Sequence, residues 1–409
     1  MGDNILAINC GSSTLKFQLI ETNGETTILG QERRLASGIV DRIGGTATIK
    51  FNDLIGECLV ENSEVADHSE AIHQVLNWLK SLRFFETNGF RAVGHRVVHG
   101  GDRFIKPILI NDEVIEAIEA LSYLAPLHNV PSLMAISAAR KALGSTVPMV
   151  AVFDTAFHHT LPEHASRYAI PQELTSKHHI RRYGFHGLAH QYMTERYAAI
   201  TSKLIEQTKL ITLQLGNGCS ATAVKDGRSV DTSMGFTPLE GLMMGTRSGD
   251  VDPSLVGFLS RSENLRTQEV EHLLNTKSGL LGVSGHSKDM RELLEAELQG
   301  DSRAALAIDM FCYRVRKYIG GYLAVLGGVD AIVFGGGIGE NSPRVRSRIC
   351  NGLEWCGLIL DYEQNTSTIG SLGRISVDNS RMHAYVIPVD EESIIARDTV
   401  RCLYKHLQK

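Results

Sequence analysis

Short apolar runs broken by small polar turns recur along the chain. Ile5-Leu6-Ala7-Ile8 leads into Asn9-Cys10-Gly11-Ser12-Ser13-Thr14-Leu15-Lys16 and then a second apolar stretch, Phe17 to Ile20. Leu210-Ile211-Thr212-Leu213 leads into Gly216-Asn217-Gly218-Cys219-Ser220 and then Ala221 to Val224. Apolar runs of this length bounded by Gly, Asn and Ser read as buried strands. Strand, tight turn, strand is a hairpin whose tip offers backbone N–H and hydroxyl donors. Its recurrence about half a chain apart predicts two related domains facing one another across a cleft, with nucleotide phosphates between them.

Elsewhere strand and helix patterns alternate, which predicts an α/β protein. Ser69 to Leu82 places Ile72, Val75, Leu76, Leu79 and Leu82 on one helical face. Arg91 to Val98 and Pro148 to Phe153 read as strands, with Asp154 at the end of the second. Phe185-His186-Gly187 leads into a helix through Ile200. Ala304 to Leu326 is apolar nearly all round apart from Arg314, Arg316 and Lys317, which predicts a buried helix with a break near Gly320-Gly321. Ala331 to Phe334 is a buried strand running into Gly335-Gly336-Gly337-Ile338-Gly339-Glu340-Asn341. Ser342-Pro343 then supplies a cap and a first-turn proline for a helix. The expected division is 1–153 for the first domain and 154–387 for the second. Residues 388–409 are expected to form a helix returning to the first.

A chain of 409 residues exceeds one ordinary core, in keeping with two domains. With 43% hydrophobic and 21% charged residues it has the composition of a soluble protein. No apolar run reaches the roughly 18 residues that span a bilayer, and no basic n-region opens the chain. The seven cysteines include no C-x-x-C pair and read as reduced thiols, so a cytoplasmic location is expected. A net charge of −5 gives no reason to expect nucleic-acid binding, so any phosphate site must be a local basic focus.

Two arginines supply such a focus. Arg96 lies in Gly94-His95-Arg96-Val97-Val98-His99-Gly100-Gly101, at a strand end. Arg247 lies in Met243-Met244-Gly245-Thr246-Arg247-Ser248-Gly249-Asp250. Most single arginines are surface ion-pair partners. One set in an apolar, glycine-rich loop needs a buried anion. Asp154 is either a helix cap or a site carboxylate at a strand's carboxyl end. No G-x-x-x-x-G-K-[ST] loop exists, so the phosphate site is not a P-loop. The pairs His95/His99 and His186/His190 have metal-ligand spacing, but without the glutamate of a zincin motif they read as structural.

The chain resembles the acetate and propionate kinase family over essentially its whole length. The resemblance is carried by Ile8 to Phe17 and by Gly235-Phe236-Thr237-Pro238-Leu239-Glu240-Gly241-Leu242-Met243-Met244-Gly245-Thr246-Arg247. It implies two domains of the actin/hexokinase-like, ribonuclease H-like type, with an active site in the cleft. The implied reaction is reversible phosphorylation of acetate by ATP through direct in-line transfer. The resemblance makes Asp154, Arg247, His186 and Arg96 the catalytic set, with Arg96 also on the carboxylate. Val98, Leu127, Phe185 and Pro238 line the acyl pocket. Lys16, Gln214, Leu215, Gly216, Asn217, Gly218, Asp289, Met290, Arg291, Gly337, Ile338, Gly339, Glu340 and Asn341 contact ATP. Asn9 and Glu391 hold Mg²⁺, with Mn²⁺ the alternative ion, directly or through water. A homodimer, with no membrane or nucleic-acid partner, is implied as well.

Two positions leave the family pattern. Gln214 stands where histidine is usual, which keeps a donor and removes a titratable charge. Asp390 stands where asparagine is usual, and adds a carboxylate next to Glu391 and Glu392. A carboxylate substrate is ionised at neutral pH and needs no general base. Asp154 is therefore expected to orient an arginine or metal-bound water. A propionate-preferring kinase is the near alternative. An ATP-driven chaperone-like protein and a phosphatase are remote ones, disfavoured by the two arginines and the small acyl pocket.

Overall fold

The computed structural model describes residues 3–22, 32–54, 56, 58–82 and 89–407, without the side chains of 126, 127 and 407. It comprises two compact units, Met1–Phe157 with Asp390–Lys409, and His158–Val389. The division expected before Asp154 falls four residues later, because Asp154 is held by Arg96 of the first unit. Residues 388–389 stay with the second unit, where the Val389 N–H donates to Glu340. Among the described residues no helix is long and apolar enough to cross a membrane.

The first unit is built on eight strands: β1 Asp3–Cys10, β2 Thr14–Thr22, β3 Arg33–Asp41, β4 Gly45–Asp53, β5 Cys58–Val65, β6 Ala92–Val97, β7 Ile108–Leu109 and β8 Met149–Phe153. Their order is β5-β4-β3-β2-β1-β6-β8-β7. β1 and β2 form the expected hairpin, with Ile8 opposite Phe17 and Asn9 opposite Lys16. β6 runs parallel to both β1 and β8. β1 is central and buried from Asn4 to Cys10, which is why its sequence is apolar without alternation. Helix His68–Ser81 covers the sheet with Ala71, Ile72, Val75, Leu76 and Leu79. It starts at Asp67, whose carboxylate accepts from the Glu70 N–H.

The second unit repeats this plan with β9 Lys209–Leu215, β10 Cys219–Lys225, β11 Arg228–Thr232, β12 Ala331–Gly335, β13 Gly373–Arg374 and β14 His383–Val386. Here the order is β11-β10-β9-β12-β14-β13. An antiparallel three-strand meander followed by two parallel strands is common to both sheets, the pattern of an actin/hexokinase-like pair of domains.

The long helix Ser302–Leu326 differs from its expectation in two ways. It runs unbroken through Gly320 and Gly321, because two helical glycines cost only about 1 kcal/mol each. It is also buried on one face alone, by Ala307, Ile308, Phe311, Val315, Ile319 and Tyr322. Leu306, Met310, Tyr313 and Val325 remain exposed. The basic residues on it are largely engaged: Arg314 pairs with Asp250 at 3.0 Å, and Arg316 donates to the carbonyls of Arg348 and Ile349.

Arg346 anchors the glycine-rich turn after β12. It is fully buried and donates to the carbonyls of Gly339 and Glu340 at 2.9 Å each. Further bonds reach Asn365 Oδ1 at 2.8 Å, the Asn365 carbonyl at 2.7 Å and the Thr368 carbonyl at 2.6 Å. Arg346→Met leaves those acceptors buried and unpaired, at about 1–3 kcal/mol each before relaxation. The expected loss is at least about 3 kcal/mol, read as a lower urea midpoint; a change under about 1 kcal/mol would show that the turn holds itself.

Candidate active site

In the first unit, three neighbouring strand ends and one helix start converge. Asn9 lies near the end of β1, Arg96 near the end of β6, Asp154 just after β8, and Glu391 opens helix Glu391–Leu407. Arg96 grips Asp154 in a bidentate pair, Nε to Oδ1 at 3.1 Å and Nη2 to Oδ2 at 2.5 Å. Its Nη1 donates to Asn9 Oδ1 at 2.9 Å. Asn9 Nδ2 in turn donates to Glu391 at 2.7 Å and Glu392 at 2.9 Å. Burial opposes the Arg96 charge, but Asp154, Glu391 and Glu392 outweigh it and raise its pKa. Burial, then Glu391 and Asp390, raise the pKa of Glu392 against the Asn9 hydrogen bond. Three of the five guanidinium N–H groups are used, which leaves one on each Nη for an incoming anion.

Asp390 is explained by its bonds. It caps helix Glu391–Leu407 by accepting from Ser393 N at 3.2 Å, and it also accepts from Gln18 and Arg34 at 3.0 Å each. Its carboxylate is committed to the fold. Lys16, opposite Asn9 on the hairpin, is exposed in the first unit.

In the second unit Arg247 is the central finding. It is largely buried, and its bonds run to the Pro238 carbonyl at 3.1 Å and Met244 Sδ at 3.6 Å. No carboxylate partners it among the described residues, and burial lowers its pKa. A Cβ placed on Gly218 would stand 3.4 Å from His186 Cε1 and 3.7 Å from Arg247 Nη1, so both side chains crowd that glycine. His186 carries a left-handed backbone, φ 56°, just before helix Gly187–Thr201, a conformation that non-glycine residues adopt at a cost.

A relay orients the His186 ring. Its Nδ1 lies 2.9 Å from Ser220 Oγ, which lies 2.7 Å from His190 Nε2, and His190 Nδ1 lies 2.7 Å from Thr212 Oγ1. The chain of contacts ends at the Thr222 carbonyl, 3.5 Å from Thr212 Oγ1, and it fixes the position of the His186 ring through its Nδ1 edge.

Gly216, Asn217, Asp289, Met290, Arg291, Gly337, Ile338 and Asn341 line one cavity of about 480 Å³, together with Lys288, Leu294 and Ser342. Asp289 caps helix Met290–Leu298 and holds Arg291 Nη2 at 2.6 Å. Gln214, Leu215, Gly218, Gly339 and Glu340 stand outside the lining. Glu340 accepts from the N–H groups of Gly336 and Val389, and Gln214 Oε1 is buried with no partner among the described residues. Of the acyl-pocket candidates, Val98 is buried in the first unit, whereas Phe185 and Pro238 belong to the second. The Leu127 side chain lies outside those described. Sequence reading gave no site role to Ser220, Thr212 or Glu392, and it read His190 as structural. Only the x-Cys-Ser end of the Gly216–Ser220 turn and the i, i+4 spacing of His186 and His190 hinted at the relay.

Burial lowers the pKa of His95 to about 3 and of His99 to about 4. Burial, reinforced by His158 and His186, lowers that of His190 well below its ordinary value. All three are neutral in the folded chain and take up a proton near pH 6.5 when it unfolds. The unfolded state binds more protons below that pH, so their contribution is complete above about pH 6.5 and is lost as pH falls toward the folded values. Urea unfolding at pH 7, 6 and 5 is expected to show a decline to which each histidine adds about 1.4 kcal/mol per unit. His95→Gln should remove one such increment, and an unaltered slope would contradict the assignment.

The sequence model of the acetokinase family matches residues 4–397. The chain is 52% identical over 406 residues to an acetate kinase of Solibacter usitatus, covering 98% of each. It is 48% identical to one of Chloroherpeton thalassium, over 98% of this chain and 99% of that protein. Among solved structures it is similar to Porphyromonas gingivalis acetate kinase, with TM-score 0.89, 42% identity and coverage of 98% and 100%. It is similar too to a propionate kinase from Francisella tularensis, with TM-score 0.88, 40% identity and coverage of 97% and 98%.

Proposed function

The chain belongs to the acetokinase family, and from that membership we propose how its own residues carry out the ATP-dependent phosphorylation of acetate. The enzyme is a phosphotransferase with a carboxyl group as acceptor. Its reaction runs between acetate with ATP and acetyl phosphate with ADP. The observation that carries the residue-level reading is Arg247, a largely buried cation with no carboxylate partner among the described residues. Such a group is costly unless an anion arrives with the ligand, and a phosphoryl group is that anion.

In this reading the adenine nucleotide occupies the cavity between the Gly216–Gly218 turn, Asp289–Arg291 and Gly337–Asn341. Arg247 and His186 neutralise charge on the phosphoryl group in transit, and the Ser220–His190–Thr212 relay keeps the His186 ring in place. Arg96 takes the acetate carboxylate on its remaining N–H groups. Asp154 fixes the plane of the guanidinium and has no proton to remove, because the nucleophile is already ionised. Gln214, beside the turn, supplies a neutral amide. Transfer is direct and in line, since phosphoryl transfer needs positioning and neutralisation more than covalent help.

Asp154, Glu391 and Glu392 set three carboxylates against one guanidinium, a charge balance that suits a divalent cation. Among the described residues no group of three or more side chains could hold a metal unaided. Mg²⁺ would therefore bind through water and phosphate oxygens, with Glu391 and Asn9 on its protein side, and would screen the phosphate charge when bound. The seven free cysteines suit a reducing compartment, and we place the enzyme in the cytoplasm.

Arg247→Ala is expected to lower kcat by roughly 10³–10⁵ while leaving ATP binding within a few-fold. Steady-state turnover together with nucleotide titration checks this, and a variant with a tenth of normal turnover would defeat the assignment. Val98 is proposed to limit acyl size. Val98→Ala removes two buried methyl groups worth about 0.8 kcal/mol each, so propionate should gain on acetate by several-fold to ~10-fold in kcat/KM. An unchanged ratio places Val98 away from the acyl group.

We further assign a homodimer to the exposed apolar face of helix Ser302–Leu326, on which Leu306, Met310 and Tyr313 follow one another at helical spacing. The open surface at Gly320 and Gly321 lets a second copy approach closely. Tyr313→Glu should give monomers in sedimentation with unchanged circular dichroism; an undisturbed dimer would move the interface elsewhere.

A further inference from the structure

A second cavity, of about 820 Å³, lies in the first unit beside the edge strand β7. Its floor is apolar, with Phe104, Pro107, Ile108 and Val114. Its rim carries Arg103, Lys106, Lys405 and His406 against the single acid Glu113. Arg103 stacks over the Phe104 ring at 5.4 Å, and no ion pair among the described residues engages Arg103, Lys106 or Lys405. An apolar floor under unpaired cations is complementary to an amphiphilic anion.

The floor connects to the substrate side through close packing. The rings of Phe104 and Phe153 are stacked, with centroids 4.8 Å apart and planes within 2°. The Phe104 N–H donates to the Gly100 carbonyl at 2.9 Å, and the Gly100 N–H donates to Thr155 Oγ1 at 3.0 Å. A Cβ on Gly100 would meet the Phe104 carbonyl at 2.7 Å and the Phe153 ring at 3.0 Å, so the two segments have no slack. Asp154, the partner of Arg96, stands between Phe153 and Thr155.

We propose that this cavity is a regulatory site for a small organic phosphate, whose anionic group meets the Arg103/Lys106/Lys405 rim and whose apolar body lies on Phe104. Its occupancy shifts Phe104 against Phe153 and thereby the Asp154–Arg96 pair that receives acetate. The effect on acetate rests on the function proposed above, whereas binding at the cavity does not.

The probe is phenyl phosphate, titrated calorimetrically into the intact protein with ADP and acetate saturating, beside inorganic phosphate and benzyl alcohol as charge-only and apolar-only controls. One phenyl phosphate is expected per chain, with both controls weaker. Lys106→Glu/Lys405→Glu, at two exposed positions outside the catalytic machinery, should abolish that binding and leave basal turnover unchanged. Phenyl phosphate should also change the KM for acetate by ~5-fold or more in the parent and not in the double variant, the usual scale of coupling between sites. No binding by the parent, or equal binding by the double variant, overturns the site. Binding without an effect on KM overturns the regulation. An effect on KM that survives in the double variant assigns the probe to the active site and overturns the proposal.

Discussion

A guanidinium at the carboxyl ends of three neighbouring strands cannot be desolvated alone. Around Arg96 the first unit meets that constraint with its own groups: Asp154 from the end of β8, Asn9 from β1, and through Asn9 the two glutamates that open the C-terminal helix. Each group is anchored on a different element, so the network also ties the end of the chain to its beginning. The helix cap at Asp390 extends it to Gln18 and Arg34. Breaking one member would leave others charged, buried and unpaired, which is why the sheet and the C-terminal helix hold together as one unit.

Arg247 shows the same constraint left unmet. Protein carbonyl and thioether contacts fix its direction without cancelling its charge. One arginine is thus neutralised and aimed by the fold, whereas the other has no carboxylate partner among the described residues. Both are consistent with phosphoryl transfer, in which charge must be matched during the reaction rather than in the resting protein. The histidine relay adds direction, since an imidazole pinned at Nδ1 cannot turn away from the glycine it crowds.

Much of this was legible in the residues. The hairpins β1–β2 and β9–β10 announced themselves as apolar runs around Gly/Asn/Ser turns, because a strand buried on both faces has few polar options and a tight turn has few residue choices. Arg96 and Arg247 stood out because arginine is rare among apolar and glycine neighbours. Helix Ser302–Leu326 was misread where pattern was ambiguous: an all-round apolar helix suits burial within one chain or burial of one face against a second, and composition does not distinguish them.

By itself the sequence determined the family, the two-fold repetition of a strand–turn–strand unit, the location of both arginines and the start of most elements, since these follow from local propensity and apolar periodicity. Tertiary structure alone decided the partners. That Asp154 clamps Arg96, that Asp390 caps a helix, that Glu340 turns onto backbone N–H groups, and that Ser220 links His186 to His190 depends on which residues meet across strands. Such meetings join positions as far apart as Asn9 and Glu391, set by sheet order and register, and they become readable only once the strands are placed side by side.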